Sequence, residues 1–325
     1  MARYLVTGAA GFIGSKVAEQ LLERGDAVVG IDNLNDAYDV RLKEWRLSNL
    51  QARAGFAFHR IDISDRAAVS GLFAGDRFDG VINLAARAGV RQSVENPWLY
   101  VETNATGTLN LLGACLERGV GKFVLASTSS LYGVDNPRPY SEDANTDRPL
   151  SPYAASKKAA EAMAYTFHYL HGLDVTVLRY FTVYGPGGRP DMSLFRFVQW
   201  ISEAKPVTVF GDGRQERDFT YVDDVARGTI AALAPAGYDI INLGSDQPVV
   251  LIDAVRLVEE YVGREAVIEM LPRHPADVEA TWANIEKAKA RLDWSPAVDF
   301  RTGVRRLVDW YQANREWART IHTGR

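Results

Sequence analysis

The chain has 325 residues, of which 47% are hydrophobic and 24% charged, a composition typical of a globular protein with one large domain or two unequal ones. A net charge of −4 and a pI near 5.8 argue against nucleic acid or an anionic membrane as partner. No stretch predicts a membrane span and no signal peptide precedes the first predicted strand, so we expect a cytoplasmic protein. The single cysteine, Cys115, cannot form an intrachain disulfide and is predicted to lie in a helix core.

The first predicted elements are a strand and a helix joined by a glycine-rich turn. Residues 3–7 form a short apolar run and residues 15–24 have helical periodicity. Between them lie Gly8, Gly11 and Gly14. Such a unit directs backbone N–H groups and a helix N-terminus at a pyrophosphate. A second strand at residues 27–31 leads to Asp32, whose carboxylate can bind both hydroxyls of a ribose. A glycine turn that only brings helix and strand close together is the alternative.

Strand-like and helix-like segments alternate along the following chain, as βαβ units require. Further strands are predicted at residues 56–59, 80–84, 122–126, 175–179, 207–211 and 240–243. Helices are predicted at residues 67–72, 100–118, 153–171, 194–203 and 251–262. This order predicts an α/β fold, with a doubly wound parallel sheet of the Rossmann type and a smaller, discontinuous α/β substrate-binding domain. The predicted boundaries are 1–180 plus about 218–244 for the dinucleotide-binding domain, and 181–217 plus 245–325 for the other. We expect a ligand in the cleft between them.

A run of hydroxyl residues, 127–130, follows the predicted strand at 122–126 and so reaches the carboxyl edge of the sheet, where ligands bind in such folds. Serines and threonines at such a place also satisfy turn backbone groups, and Ser127 is the first candidate for that role. About one βα unit later, Tyr153 and Lys157 are four residues apart, which places both on one face of a helix. A lysine ammonium one turn away favours the phenolate, so the pair is a candidate general base, although the spacing also arises by chance in helices.

Four segments together resemble the extended short-chain dehydrogenase/reductase superfamily. They are TGAAGFIG from Thr7, NLAA from Asn83, the Tyr153–Lys157 pair, and RYFTVYGP from Arg179. Within that superfamily the chain is similar to nucleotide-sugar 4-epimerases, most closely to UDP-glucuronate 4-epimerases. The resemblance runs from residue 3 to about residue 300, with the motifs in the family's order.

This resemblance implies a tightly bound NAD and no metal. The cofactor-binding residues that it implies are Gly8, Gly11, Phe12, Ile13, Gly14, Asp32, Asn33, Asp62, Ile63, Leu84, Ala85, Ala86, Asn104, Tyr153, Lys157 and Tyr180. NAD is expected over NADP, because Asp32 is followed by Asn33 and Leu34 and its carboxylate would repel a 2′-phosphate.

The resemblance also implies a reversible C4 epimerisation of UDP-glucuronate to UDP-galacturonate through a transient 4-keto intermediate. Thr128 falls at the catalytic serine/threonine position beside Tyr153 and Lys157. The implied substrate-binding residues are Arg91, Ser129, Ser130, Thr182, Val183, Arg189, Thr208, Phe210, Arg217 and Asp277. Related 4,6-dehydratases have an Asp-Glu pair after the threonine and UDP-glucuronate decarboxylases a glutamate, where this chain has Ser129 and Ser130. That difference favours an epimerase. A UDP-glucose/UDP-galactose 4-epimerase and a UDP-glucuronate decarboxylase on the same scaffold remain the alternatives.

Some positions depart from the family pattern. Arg87 stands where the glucuronate enzymes usually have glutamine, and Ala276 replaces a usual glycine. The roles of Arg87, Arg273 and His274 therefore stay open. In the family the helices corresponding to residues 100–118 and 153–171 pair across a two-fold axis, so a homodimer is expected.

Overall fold

The computed structural model describes residues 1–272 and 278–324. Its strands are β1 (Arg3–Thr7), β2 (Ala27–Asp32), β3 (Phe56–Arg60), β4 (Gly80–Asn83), β5 (Lys122–Thr128), β6 (Asp174–Tyr180), β7 (Thr182–Tyr184), β8 (Val207–Phe210), β9 (Glu216–Tyr221), β10 (Tyr238–Leu243), β11 (Pro248–Val250) and β12 (Ile268–Leu271). Its helices are α1 (Phe12–Glu23), α2 (Val40–Gln51), α3 (Arg66–Gly75), α4 (Val90–Glu95), α5 (Pro97–Tyr100), α6 (Gly107–Arg118), α7 (Pro152–His171), α8 (Ser193–Ser202), α9 (Val222–Ala231), α10 (Leu251–Val262), α11 (Glu286–Leu292), α12 (Phe300–Ala313) and α13 (Arg315–Ala318).

Seven strands form a central sheet in the order β10-β6-β5-β4-β1-β2-β3, with every neighbouring pair parallel. One face packs against α1 and α9 through a core that includes Val17, Leu21 and Val225. The other face packs against α3, α6 and α7 through a core that includes Leu111 and Ala160. The order of strands reverses at β1, so the crevice at their carboxyl ends is a ligand site typical of this architecture. The predicted α/β fold with a doubly wound parallel sheet is confirmed.

The smaller part has its own sheets and core. Strand β9 pairs with β7 and β11, and β8 pairs with β12. Helices α8, α10 and α12 enclose a separate core that includes Phe197, Val255 and Leu307. The chain returns to the central sheet with α9 and β10. The predicted domain boundary at about residue 218 falls inside β9. The backbone of this strand pairs with β7 and β11 of the smaller part.

The predicted helix at 100–118 is not one regular helix. It consists of α5, a π-helical turn at Val101–Thr106 and α6. The widened turn contains Asn104, whose side chain is buried and bonded to the backbone of Arg87 and to Ser156 Oγ. Within the described residues, none of the helices combines the length and the apolar character needed to cross a membrane.

Candidate active site

A cleft of about 550 Å³ lies between the two parts, at the carboxyl ends of β1, β4 and β5. Its walls bring together nearly all of the predicted site residues. From the cofactor set they are Gly8, Gly11, Phe12, Ile13, Gly14, Asp32, Asn33, Asp62, Ile63, Leu84, Ala85, Ala86, Tyr153, Lys157 and Tyr180; from the rest they are Thr128, Arg91, Ser129, Ser130, Thr182, Val183, Arg189, Thr208, Phe210 and Arg217.

Two predicted residues stand apart from these walls. Asn104 does not line the cleft, because its amide binds the backbone N–H and carbonyl of Arg87 and so fixes the segment after β4. Asp277 lies outside the described residues, as do Arg273 and His274.

The glycine turn is too tight for side chains. Gly8 has a φ of +67°, and the N–H of Gly11 donates to the Gly8 carbonyl at 2.8 Å. A Cβ on Gly14 would lie 2.1 Å from the Gly8 oxygen. Helix α1 begins directly after the turn, and Gly11 at its N-cap offers no side chain to its first N–H groups. The residues that carry these donors line the cleft, which fits the diphosphate of a dinucleotide.

Thr7 fixes the neighbouring segment after β4. Its hydroxyl donates to Asn83 Oδ1 at 2.7 Å and accepts from the N–H groups of Leu84 and Ala85 at 3.1 and 2.9 Å. Thr7 and Asn83 both belong to the sequence motifs, but their contact joins two strands that are far apart in sequence and neighbours in the sheet.

The far end of the cleft has the polar groups that a ribose and an adenine require. Asp32 is buried at the end of β2 and accepts from the N–H of Leu34 at 2.8 Å. Asn33 Nδ2 donates to Asp62 Oδ2 at 2.6 Å. Lys43 Nζ lies 3.8 Å from Asp32 Oδ1, a neighbour that sequence reasoning missed because Lys43 belongs to α2, which was not predicted. Together with the glycine turn, these groups fit NAD.

Lys43 is almost fully buried. Burial lowers the pKa of its ammonium group, and the Asp32 carboxylate opposes that effect. Three guanidinium groups act in the same direction as burial: Arg87, Arg46 and Arg189. Lys43 therefore has more cationic neighbours than the local sequence around Asp32 suggested.

The candidate catalytic residues meet where β5 ends and α7 begins. Half-buried Tyr153 lies beside Thr128. Burial raises the pKa of the Tyr153 phenol, while the Thr128 hydroxyl and the Arg189 charge lower it. From the sequence, Lys157 was the group expected to lower the pKa of Tyr153. In the structure the Lys157 ammonium instead donates to the Ala126 carbonyl at 2.8 Å, and burial lowers its own pKa to about 8.

Behind Lys157 lies a buried polar network that sequence reasoning did not find. Glu161, one further turn along α7, accepts from Ser127 Oγ at 2.5 Å and from Arg179 Nε and Nη2 at 3.1 and 2.9 Å. The Ser127 hydroxyl is therefore bonded to this network although the residue lines the cleft, while Thr128 accepts from the Ser130 N–H at 3.1 Å. The available signal was a glutamate four residues after Lys157, on the same helix face.

The opposite wall comes from the smaller part. Arg189 donates to both Asp191 carboxylate oxygens, at 3.1 and 2.5 Å, and its charge reaches Tyr153. Thr182 and Val183 belong to β7, next to the carboxyl end of β6. Phe210 of β8 also belongs to this wall, and the Arg91 guanidinium of α4 lies 4.0 Å from the centre of its ring. No group of three or more potential metal ligands occurs in the described part of the chain.

The fold and the cleft define a dinucleotide-dependent α/β enzyme with a tyrosine–lysine pair at the end of the sheet. Comparison with known proteins agrees, since the model of the NAD dependent epimerase/dehydratase family matches residues 4–244. The chain belongs to this family. The predicted family, an NAD-dependent enzyme, and NAD as its cofactor are thereby confirmed.

Individual relatives are similar over almost their whole length. The chain is 55% identical over 322 residues to UDP-glucuronate 4-epimerase of Thermodesulfobacterium geofontis, covering 99% of each chain. Among solved structures, UDP-glucuronic acid 4-epimerase from Bacillus cereus with UDP-glucuronic acid and NAD has a TM-score of 0.91 and 38% identity, covering 96% of this chain and 99% of that one. UDP-glucose 4-epimerase from Thermotoga maritima with UDP-glucose has a TM-score of 0.89 and 32% identity, with the same coverage of 96% and 99%.

Proposed function

We propose that the protein catalyses the reversible C4 epimerisation of UDP-glucuronate and UDP-galacturonate with a tightly bound NAD. The observation that supports this most is the composition of the cleft beside Tyr153. Thr128, Ser129 and Ser130 follow one another at the end of β5, and neither position after Thr128 is an acid. The similarity to the enzymes from T. geofontis and B. cereus supports the same substrate.

The residues of the chain perform the proton transfers. Tyr153 accepts the proton of the sugar 4-hydroxyl in its phenolate form, which the Thr128 hydroxyl and the Arg189 charge favour against burial. The Thr128 hydroxyl orients the sugar oxygen by a hydrogen bond. When bound, NAD supplies the acceptor and then the donor of the hydride at carbon 4. The 4-keto sugar rotates within the cleft so that its other face receives the hydride. Tyr153 then returns the proton to the new alkoxide. The glycine turn, Asp32 and Lys157 would hold the cofactor.

The sugar carboxylate needs restraint during this step, because a 4-keto uronic acid is a β-keto acid that can lose carbon dioxide. Ser129 and Ser130 on one wall and Thr182 on the other offer neutral hydroxyl donors to a carboxylate in the cleft. A glutamate at Ser129 or Ser130 would repel it. We infer that these hydroxyls hold the carboxylate away from the alignment in which the bond to carbon dioxide breaks.

A second candidate is a UDP-glucose 4-epimerase, which the similarity to the T. maritima enzyme favours. The test is to incubate the purified holoenzyme with UDP-glucuronate and, in parallel, with UDP-glucose, and to separate the products by chromatography. The proposal predicts UDP-galacturonate as the main product, little UDP-pentose and little turnover of UDP-glucose. Faster conversion of UDP-glucose would favour the second candidate, and UDP-pentose as main product would identify a decarboxylase.

We also propose a homodimer that pairs through α6 and α7. Large apolar side chains are exposed along this side of the protomer: Trp98 at 81%, Tyr169 at 74% and Leu170 at 63%, with Leu109 and Met163 partly exposed as well. A sedimentation mass near the 36.0 kDa of one chain would contradict this pairing. The domain division and the cytoplasmic location stay predictions, as does the absence of nucleic-acid and membrane partners.

A further inference from the structure

Arg46 on α2 is buried, with 4% of its surface exposed. Its guanidinium group uses all five of its N–H donors. Nε and Nη2 donate to the Gly187 carbonyl at 3.1 and 2.7 Å, and Nη2 also donates to the Gly188 carbonyl at 3.2 Å. Nη1 donates to the Ala10 carbonyl at 3.2 Å and to Tyr38 Oη at 2.8 Å. Across residues 1–272 and 278–324, Arg46 forms no ion pair with a carboxylate.

These acceptors belong to two different walls of the cleft. Ala10 lies in the glycine turn, where a cofactor diphosphate is expected. Gly187 and Gly188 directly precede Arg189, which lines the sugar side. One side chain therefore connects the cofactor-binding turn to the loop that places Arg189 near Tyr153.

The loop at residues 185–188 is shaped for this contact. Gly187 has a φ of +62°, and a Cβ there would lie 2.8 Å from the Trp45 ring. A Cβ on Gly188 would lie 3.1 Å from the Gly185 carbonyl oxygen. The loop thus lies close against α2, and its carbonyls converge on one planar group. Only arginine offers five donors in one plane, so a lysine at this position could not satisfy the same acceptors.

A buried cation that is bonded only to carbonyls and a hydroxyl is costly unless an anion lies near it. The nearest expected anion is the diphosphate in the glycine turn. We propose that Arg46 is a positioning residue that couples occupation of the glycine turn by NAD to the ordering of residues 185–192, and so to the placement of Arg189. This coupling goes beyond the proposed epimerisation and does not depend on which sugar is the substrate.

The test is hydrogen–deuterium exchange of residues 185–192, measured for each variant with NAD saturating and after removal of NAD. In the unaltered protein we expect NAD to slow exchange in this loop by about tenfold, a typical coupling between two sites. In Arg46→Met we expect little or no change on adding NAD, even at saturation, and NAD affinity weaker by a similar factor, since coupling is reciprocal. Arg46→Lys keeps the charge but loses the planar fork, so it should retain only part of the effect.

The matched control is Leu50→Ala on the same helix, which removes a buried apolar contact without touching the guanidinium. Leu50→Ala should lower thermal stability yet keep the full response of the loop to NAD. If the role of Arg46 were merely structural, Arg46→Met and Leu50→Ala would affect the response of the loop in the same way. An Arg46→Met loop that responds to NAD as strongly as the unaltered protein would overturn the proposal. If Arg46→Met does not fold, an unchanged response in Arg46→Lys would overturn it equally. The proposal would also be overturned if NAD did not change the exchange rate of residues 185–192 in the unaltered protein.

Discussion

At Tyr153, burial and the surrounding polar groups act in opposite directions on the pKa of the phenol. Burial dominates and raises it, while Thr128 and Arg189 lower it. A catalytic base in such a place depends on its few stabilising contacts. The proposed proton transfers therefore depend on one atom, the phenol oxygen of Tyr153.

Removal of that oxygen should greatly slow turnover and leave the fold intact. We expect Tyr153→Phe to lower the rate of UDP-galacturonate formation by about 10²–10⁴-fold, the usual effect of losing a general base. Thr128→Val should be milder, because we expect the hydroxyl of the neighbouring Ser129, which also lines the cleft, to replace part of its hydrogen bonding. Both variants should keep bound NAD. A Tyr153→Phe enzyme with more than about a tenth of the original initial rate would exclude Tyr153 as the base.

Lys157 illustrates how an active site can reduce stability. Burial lowers its pKa from an ordinary lysine value to about 8, so at neutral pH the folded protein holds a buried charge. The unfolded chain binds this proton more tightly, and the resulting penalty is complete below about pH 8 and disappears as the pH rises towards the ordinary value. Lys157→Met should thus be inactive and hold NAD less tightly, yet, with NAD removed from both proteins, it should unfold at a higher temperature than the original protein at pH 7.

Thermal unfolding of both proteins across pH 7–10 would check this sign. The difference in unfolding temperature should be constant near neutrality and shrink above about pH 8. If NAD-free Lys157→Met is less stable than the NAD-free original protein at pH 7, burial of the Lys157 ammonium group does not reduce stability.

Among the elements, the turn between β1 and α1 depends most on the absence of side chains. In Gly14→Ala the new Cβ would lie 2.1 Å from the Gly8 carbonyl oxygen, so the turn must open. We expect a loss of about 1–3 kcal/mol of stability, as for other overpacked sites, and loss of bound NAD during gel filtration. The matched control is Gly71→Ala in α3, where a Cβ would meet no atom within 4 Å and should be neutral or stabilising. Full NAD content in Gly14→Ala would argue against this turn as the cofactor site.

The elements also show what the sequence could predict. The strands of the central sheet are short apolar runs between turn signals, and all seven were predictable to within about two residues. Helix α2 was not, because two residues on its buried side, Lys43 and Arg46, are charged and make the segment look solvent-exposed. In the smaller part, β8 was predicted at residues 207–211. The other strands there, three to six residues long, pair with distant segments and were not predicted.

At the scale of the molecule, net charge conceals the character of the cleft. The protein has a net charge of −4, yet the charge of Lys43 in the cleft is felt by three guanidinium groups, those of Arg46, Arg87 and Arg189. The motifs around Gly8 and Tyr153 were readable because each is local, within one turn or one helix. The contacts of Arg46, Lys43 and Glu161 join segments far apart in sequence, so only the assembled fold could reveal them.

The proposed epimerisation requires that the hydride removed from carbon 4 return to the same sugar, and NAD, when bound, would supply both its acceptor and its donor. The most direct measurement uses UDP-glucuronate with deuterium at carbon 4, in ordinary water with added unlabelled NAD, followed by NMR of the product. We expect UDP-galacturonate that retains deuterium at carbon 4, with no label in free NADH or solvent. A product with hydrogen at carbon 4, or label released to the medium, would contradict it.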